Sequence, residues 1–212
     1  MLAEFIGIIL GDGNIFSFCK GKKIRVYMLR IAGHACDDKD YLTNHVSNLV
    51  TQLFGLKPKF YFKKNSNCLY LILHSFKVIE FFSKMGILLG NKISNQSTFP
   101  LWIWKHNSYL KACVRGLIDT DGSVYELLPH WPGLFQICFS NRNLKLLYDT
   151  RNALIQLEYS VSRISGLNSK KTPQFYITKK SDIQKFYKEI GFHNIKHSKK
   201  LQSCSVVANL AL

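Results

Sequence analysis

Two stretches of this chain repeat one pattern. Phe5-Ile-Gly-Ile-Ile-Leu-Gly-Asp12-Gly13 and Val114-Arg-Gly-Leu-Ile-Asp-Thr-Asp121-Gly122 are each a short apolar run, interrupted by glycine, that ends in Asp-Gly. Asp121 follows Asp12 by 109 residues, about half of the 212-residue chain. Solenoid repeats have periods of roughly 20–50 residues. A period this long points to a duplicated domain.

The rest of the sequence carries the duplication to the end of each half. Residues 2–12 read as a helix stopped at Gly13-Asn14. Residues 15–19 and 24–34 read as a hairpin around a basic turn at 20–23, with Leu29 and Ile31 alternating with Arg30 and Ala32. A helix is expected from Asp37-Asp38 to about Phe54, with its acids at the positive end of the helix dipole. A second hairpin follows at 57–63 and 68–74, then a helix at 76–84 closed by Gly86. Residues 91–108, with Pro100, Trp102 and Trp104, read as a packed strap between halves. The order then recurs. A helix at 109–120 is expected to be capped by Ser108, followed by strands at 123–127 and 134–140 and a helix at 143–156. Strands near 161–165 and 174–179 surround the Lys170-Lys171 turn, and a helix at 181–190 closes with Gly191. Gln136 falls on Arg30 and Ser140 on His34 at an offset of 106. Phe81 to Ile87 aligns on Phe186 to Phe192 at 105, and Lys92 on Lys196 at 104. Residues 203–212 read as a final apolar helix. The expectation is an α+β fold. It consists of two αββαββα repeats, 1–98 and 108–212, each with a curved four-stranded antiparallel sheet, joined by a connector at 99–107.

Charge narrows the partner. Residues 1–106 hold 14 Lys or Arg and 6 Asp or Glu, and residues 107–212 hold 15 and 7, so each half carries +8 of the total +16. Solubility needs a net charge of roughly 2–8. A basic surface shared by both halves attracts a polyanion, with counterion release supplying affinity. The six cysteines, at 19, 36, 68, 113, 138 and 204, form no C-x-x-C and lie near no zinc-spaced histidine pair. They fit a reducing intracellular compartment without a structural metal, and Cys113 and Cys138 read as small core residues. Glu4 near the start argues against a signal peptide, and no apolar run reaches the 18 residues of a membrane span.

The repeated motif carries the chemistry. Gly7 and Gly11 in one copy, and Gly116 and Thr120 in the other, strip one helix face of bulk, so two parallel helices can pack closely. Asp12 and Asp121 then emerge side by side. Neighbouring carboxylates repel unless a cation lies between them. Hard divalent ions such as Mg²⁺ suit such oxygens and leave room for phosphate. Metal-assisted phosphodiester hydrolysis uses that arrangement, and a pseudo-two-fold axis matches that of a DNA duplex.

Gly7–Gly13 and Gly116–Gly122 resemble the two signature helices of the LAGLIDADG homing endonucleases in their single-chain, two-repeat form. The likeness extends over the element order and repeat size of the whole chain. The second copy follows the family spelling closely. The first has Leu10 where the family often has Asp and Gly11 where it often has Ala, yet the final acid is intact in both. The resemblance implies a monomeric, site-specific double-stranded DNA endonuclease that cuts a long asymmetric target across the minor groove. It implies that Asp12 and Asp121 bind the catalytic ions, with the backbone of Gly11 and Thr120 as further candidate ligands. Two or more Mg²⁺ ions are implied, with Ca²⁺ or Mn²⁺ able to substitute in binding. Lys92 and Lys196 match the family's basic pocket position and are candidate catalytic residues. Arg30, His34, Lys57, Lys59, Tyr61, Lys63, Gln136, Ser140, Arg163, Lys170 and Lys171 are the candidate DNA contacts on the outward strand faces, where major-groove reading needs donors and acceptors. The same family implies two alternatives, an intron maturase that binds RNA and a DNA-binding regulator that does not cleave. Intact acids favour the nuclease. The abundance of Lys, Asn, Ile and Phe suits an AT-rich coding source, in an organelle or a microbial cytoplasm.

Overall fold

The structure, a computed structural model, describes residues 1–20 and 24–202. The turn expected at 21–23 and the final helix expected over 203–212 lie outside the described residues. Helix α1 (Leu2–Leu10) leads into strands β1 (Gly13–Lys20) and β2 (Ile24–His34). A π-helical turn (Tyr41–Val46) runs into α2 (Ser47–Phe54), followed by β3 (Lys59–Phe62), β4 (Cys68–His74) and α3 (Phe76–Lys84). A 3₁₀ turn (Leu101–Lys105) precedes the second half: α4 (Asn107–Asp121), β5 (Gly122–Leu127), β6 (Trp131–Ser140), α5 (Leu144–Gln156), β7 (Gln174–Ile177), α6 (Lys180–Glu189) and α7 (Ile195–Gln202). Two antiparallel sheets result, with strand orders β1-β2-β4-β3 and β5-β6-β7. The α+β expectation holds. No helix among the described residues is long and apolar enough to cross a membrane.

The second sheet has three strands rather than the expected four. Residues 161–165 do run beside β7. The backbone N–H of Ser162 donates to Tyr176 O (2.9 Å), and Ser165 pairs with Gln174 in an isolated bridge. But the Tyr176 N–H donates to the Ser162 side-chain oxygen at 2.9 Å instead of to a backbone carbonyl. A hydroxyl has taken the place of a ladder acceptor, so the regular pairing is interrupted. The other departures are local. Ser108 lies inside α4 and does not cap it, because extended His106 stands at the N-cap and its carbonyl accepts from the N–H groups of Tyr109 and Leu110. Helix α1 stops at Leu10, two residues early. On edge strand β3, Phe60 and Phe62 stand opposite Leu71 and Leu69 in register but remain exposed.

α1 is apolar almost all round, and all its residues from Ala3 to Leu10 are buried. A helix of that kind belongs inside a protein. One side packs on sheet residues such as Leu29, Ile31, Leu69 and Leu71; α4 meets the other side and packs in turn toward Ile137, Phe139, Phe175 and Ile177. The strap joins the same core, with Ile103 buried and Trp102 and Trp104 packed against it.

The two central helices run parallel. Gly7 faces Cys113 and Leu117, Gly116 faces Glu4 and Ile8, and Gly11 faces Thr120. These pairs obey the 109-residue offset: Gly7 corresponds to Gly116, and Glu4 to Cys113. A Cβ on Gly116 would overlap the carbonyl oxygen of Glu4 and come within 2.9 Å of Ile8 N, and one on Gly7 would overlap the carbonyl oxygen of Cys113. Both obstacles are backbone and cannot rotate away. In an open helix, Gly→Ala stabilises by up to about 1 kcal/mol. Here Gly116→Ala is expected to destabilise by about 1–3 kcal/mol through overpacking, read as a lower urea midpoint by circular dichroism. An unchanged midpoint would mean that the helices do not touch here.

Candidate active site

The parallel packing delivers both motif acids to the same end of the helix pair. Asp121 is the last residue of α4, and Asp12 follows Gly11, the C-cap of α1. Burial pushes the Asp12 carboxyl up to about 7, and the charge of Asp121 adds to the rise while Lys92 opposes it. Asp121 is also raised, by burial, against the pull of Lys92 and a hydrogen bond from Asn141 Nδ2 at 2.8 Å. Two helix C-termini add about half a negative charge each. The site therefore sets two raised carboxyls at the ends of two helices, with the charges of Lys92 and Lys196 opposing the rise. A hard divalent ion fits this oxygen donor set.

The two lysines answer that charge differently. Lys92 Nζ donates to the carbonyls of Ile9 (3.1 Å), Leu10 (2.9 Å) and Gly11, closing the C-terminus of α1. Burial lowers its pKa, and Asp121 and Asp12 oppose that shift. Lys196 does not mirror this. Its Nζ lies 2.7 Å from Asp38 Oδ1, although its charge is still felt by both motif acids. Burial alone would raise Asp38; hydrogen bonds from Lys196, Asn194 and the His34 N–H outweigh it and hold the carboxyl low.

The asymmetry follows from one pair of residues. Asp38 and Asn143 correspond at an offset of 105, and each begins the second helical segment of its repeat. Asn143 caps α5 by accepting from Leu146 N, while its Nδ2 donates to Lys92 O (3.2 Å) and Ser97 O (2.6 Å). Asp38 accepts from His34 N (2.8 Å) and from Asn194 Nδ2 (2.7 Å). Each half thus grips the lysine-bearing segment of the other. The amide of Asn143 takes only the backbone of its loop and leaves the Lys92 ammonium to reach α1. The carboxylate of Asp38 captures the Lys196 ammonium itself.

Several of these residues lie beyond the sequence reading. Asp38, Asn143 and Asn194 could have been found by extending the repeat alignment around the lysines. Asn141 has Cys36 at the equivalent position, so no repeat signal marks it. Asp119 is fully buried in α4, where its Oδ2 accepts from the His193 N–H at 3.0 Å and burial pushes its pKa up to about 7. Glu4 is the one acid in an otherwise apolar helix, and that isolation was a signal in itself. Thr120, the expected helix-contact residue, turns its hydroxyl back to Gly116 O (2.9 Å) and Leu117 O (3.1 Å).

Of the candidate DNA contacts, Arg30, His34, Lys59, Tyr61, Gln136 and Ser140 lie on strands, and Lys57, Lys63, Arg163, Lys170 and Lys171 lie in the connections. Asn14, Arg30, Ile72 and Lys59 form one row across the first sheet. The Arg30 guanidinium lies 4.8 Å from the Tyr70 ring centroid and 5.3 Å from that of Phe16, a stack that holds it in place. Tyr61 stacks on Tyr70. Lys57, Lys59, Lys63, Arg163, Lys170 and Lys171 are exposed. Gln136 bridges Tyr125 and Thr178. Ser140 pairs with Gln174 at the β6–β7 edge. His34 is tied locally, its Nδ1 accepting from the Asp37 N–H at 3.2 Å.

The architecture is that of the LAGLIDADG homing endonucleases in their two-repeat form. The chain superposes on mesophilic variants of the homing endonuclease I-DmoI with a TM-score of 0.63 at 20% identity, covering 89% of this chain and 93% of that one. I-DmoI in complex with DNA and Mn gives 0.63 at 18% identity, covering 89% and 94%. The LAGLIDADG meganuclease I-AabMI bound to uncleaved DNA gives 0.61 at 11%, covering 98% and 90%. Residues 108–191 match the family model of the LAGLIDADG-like domain. A curated relative, an A-type ATP synthase subunit of Pyrococcus abyssi (strain GE5 / Orsay), is 25% identical over 121 residues, which is 57% of this chain. The chain spans only about a tenth of that relative's length.

Asp119 offers a test of how dry this end of α4 is. Its folded-state pKa of about 7 stands above the ordinary 3.8, so its contribution to stability declines as pH rises from about 4 to 7. Asp119→Asn keeps an acceptor for the His193 N–H and removes that penalty. Its stability advantage over the unmodified chain is expected to grow across this range by a few kcal/mol, of order one per pH unit, in urea titrations at pH 4.5, 6 and 7.5. A pH-independent difference would show that Asp119 is ionised without cost.

Proposed function

We propose that this chain is a site-specific, divalent-metal-dependent double-stranded DNA endonuclease, acting as a monomer of two repeats, 1–98 and 108–212, linked by 99–107. The observation that carries this reading is the pair of half-buried carboxylates, Asp12 and Asp121, both raised and the charge of Asp121 raising Asp12, in a chain of net charge +16. The DNA complexes known for I-DmoI and I-AabMI are consistent with it.

In this reading Asp12 and Asp121 hold the divalent ions, and the outer sheet faces lie along the duplex, one half-site per repeat. The chemistry such ions supply when bound is polarisation of a phosphate oxygen and acidification of water. Asn141 orients the Asp121 carboxylate. The two lysines compensate charge that grows on the phosphate as the scissile bond breaks, which is worth most where water is excluded. Lys92 does so from a fixed position, whereas Lys196 must do so while paired with Asp38. Arg30, on its aromatic platform, is positioned for base-edge contact, while the exposed lysines suit phosphates.

Asp12→Asn and Asp121→Asn are each expected to abolish double-strand cleavage while sparing duplex binding. Targets would be selected from a randomised duplex library, with Mg²⁺, Ca²⁺ or EDTA present. Full cleavage by either variant would remove the mechanism. Lys92→Met is expected to slow single-turnover cleavage by roughly 10²–10³-fold, the scale of losing one pre-positioned charge donor. Ion binding must also displace protons from the raised carboxyls. The Mg²⁺ concentration for half-maximal cleavage is therefore expected to fall as pH rises through about 7, the value to which Asp12 is pushed.

A further inference from the structure

A second group of ligand-type side chains gathers around Glu4, which lies on α1 two turns before Asp12, about 12 Å along the helix. The Glu4 carboxylate is buried, at 2% exposure. Two histidine nitrogens converge on its Oε1: His45 Nε2 at 2.7 Å and His193 Nδ1 at 2.6 Å. The two rings are 4.0 Å apart by centroid. Three potential ligand atoms, one from each residue, all lie within 4.8 Å of one another. They come from three separate segments: α1, the π-helical turn, and the loop between α6 and α7.

Three features make this more than a buried ion pair. The duplicated fold does not require it: the equivalent positions in the other repeat are Cys113, Thr150 and Leu88. Thr150 there simply bonds its hydroxyl to Leu146 O at 2.7 Å. His45 is aimed by a π-helical turn, an insertion that redirects a side chain and is frequent at functional sites. Finally, Arg115 pins the carboxylate without using the shared oxygen. Its guanidinium donates to Glu4 Oε2 at 2.7 Å and to Ile190 O at 3.0 Å. Oε1 is left to the histidines, and an orienting partner of this kind is what ligating carboxylates need. The imidazoles are 26% and 39% exposed, which gives an ion a route in from solvent.

We propose that Glu4, His45 and His193 form a second metal site, separate from Asp12 and Asp121, that takes a borderline divalent cation such as Zn²⁺. One carboxylate oxygen and two imidazole nitrogens suit zinc, with water completing the coordination. The ligand atoms need to open by roughly half an ångström from their hydrogen-bonded separations to surround an ion at zinc distances. The bound ion would tie the first repeat to the terminal loop of the second. Its role is structural, and it does not depend on whether the chain cleaves DNA.

The test uses the full chain, stripped with EDTA, desalted and kept in millimolar Mg²⁺ so that oxygen-ligand sites are occupied. Zn²⁺ is titrated by calorimetry and Co²⁺ by visible absorption, with His45→Ala, His193→Ala and, as control, His34→Ala. The expected result is one tight equivalent, a Co²⁺ spectrum without thiolate charge-transfer bands, and a Zn²⁺-dependent rise in Tm. Affinity should fall at least about tenfold in each of the first two variants and not in the control. Metal-free Tm values in EDTA, together with the conservative pair His45→Asn and His193→Gln, separate loss of the ligand from loss of the fold. Absence of saturable Zn²⁺ binding, binding unchanged in all four variants, or thiolate bands pointing to a cysteine site would each overturn the proposal.

Discussion

The backbone contact between α1 and α4 is the constraint on which the rest depends. With Gly7 against Cys113 and Gly116 against Glu4 and Ile8, the helices meet without intervening side chains. Any bulk at these points would push the axes apart, and with them the two sheets, each of which packs on its own helix. The separation of Asp12 from Asp121 is set by the same contact. A close-packed interior transmits such a shift rather than absorbing it. The glycines thus act at a distance, defining a carboxylate site that they do not line.

That geometry creates an electrostatic problem, which the surrounding polar residues partly solve. Two half-buried acids sit at the same end of two parallel helices. Lys92 caps one helix, Asn141 steadies Asp121, and Lys196 contributes from its pairing with Asp38. Burial still wins, and both acids stay raised above the usual carboxylate range. Glu4 lies at the opposite limit. It is buried, at 2% exposure, but Arg115, His45 and His193 supply so many donors that its carboxyl is held well below the ordinary range. The same helix therefore carries one acid saturated with partners and one left short of them.

Much of the fold was legible because the sequence states it twice. The repeated Asp-Gly motif located both central helices and the direct entry of each into a strand. The alternation at Leu29–Ala32 identified a buried face that Leu29 and Ile31 occupy. What escaped were features set by single hydrogen bonds. Ser162 breaks a strand ladder with its hydroxyl, and His106 rather than Ser108 begins α4. Neither is a matter of periodicity. In the candidate site, Asp12 and Asp121 were readable from the repeat, and Lys92 and Lys196 from the repeat alignment together with the family resemblance. The pairing of Lys196 with Asp38 was not, because it crosses from one repeat to the other over 158 residues. Glu4 was visible as an oddity, but its partners come from distant segments that only the folded chain brings together.

The exchange of loops between repeats has a consequence for how the halves relate. Asp38 of the first repeat holds the lysine loop of the second, and Asn143 of the second holds that of the first. The two grips use different chemistry, so the halves are no longer interchangeable. A pair of first repeats would set a carboxylate against both lysines, and a pair of second repeats would set an amide against both. Only the mixed arrangement leaves one ammonium on the C-terminus of α1 and binds the other away. The divergence at this one position leaves two corresponding lysines with different partners.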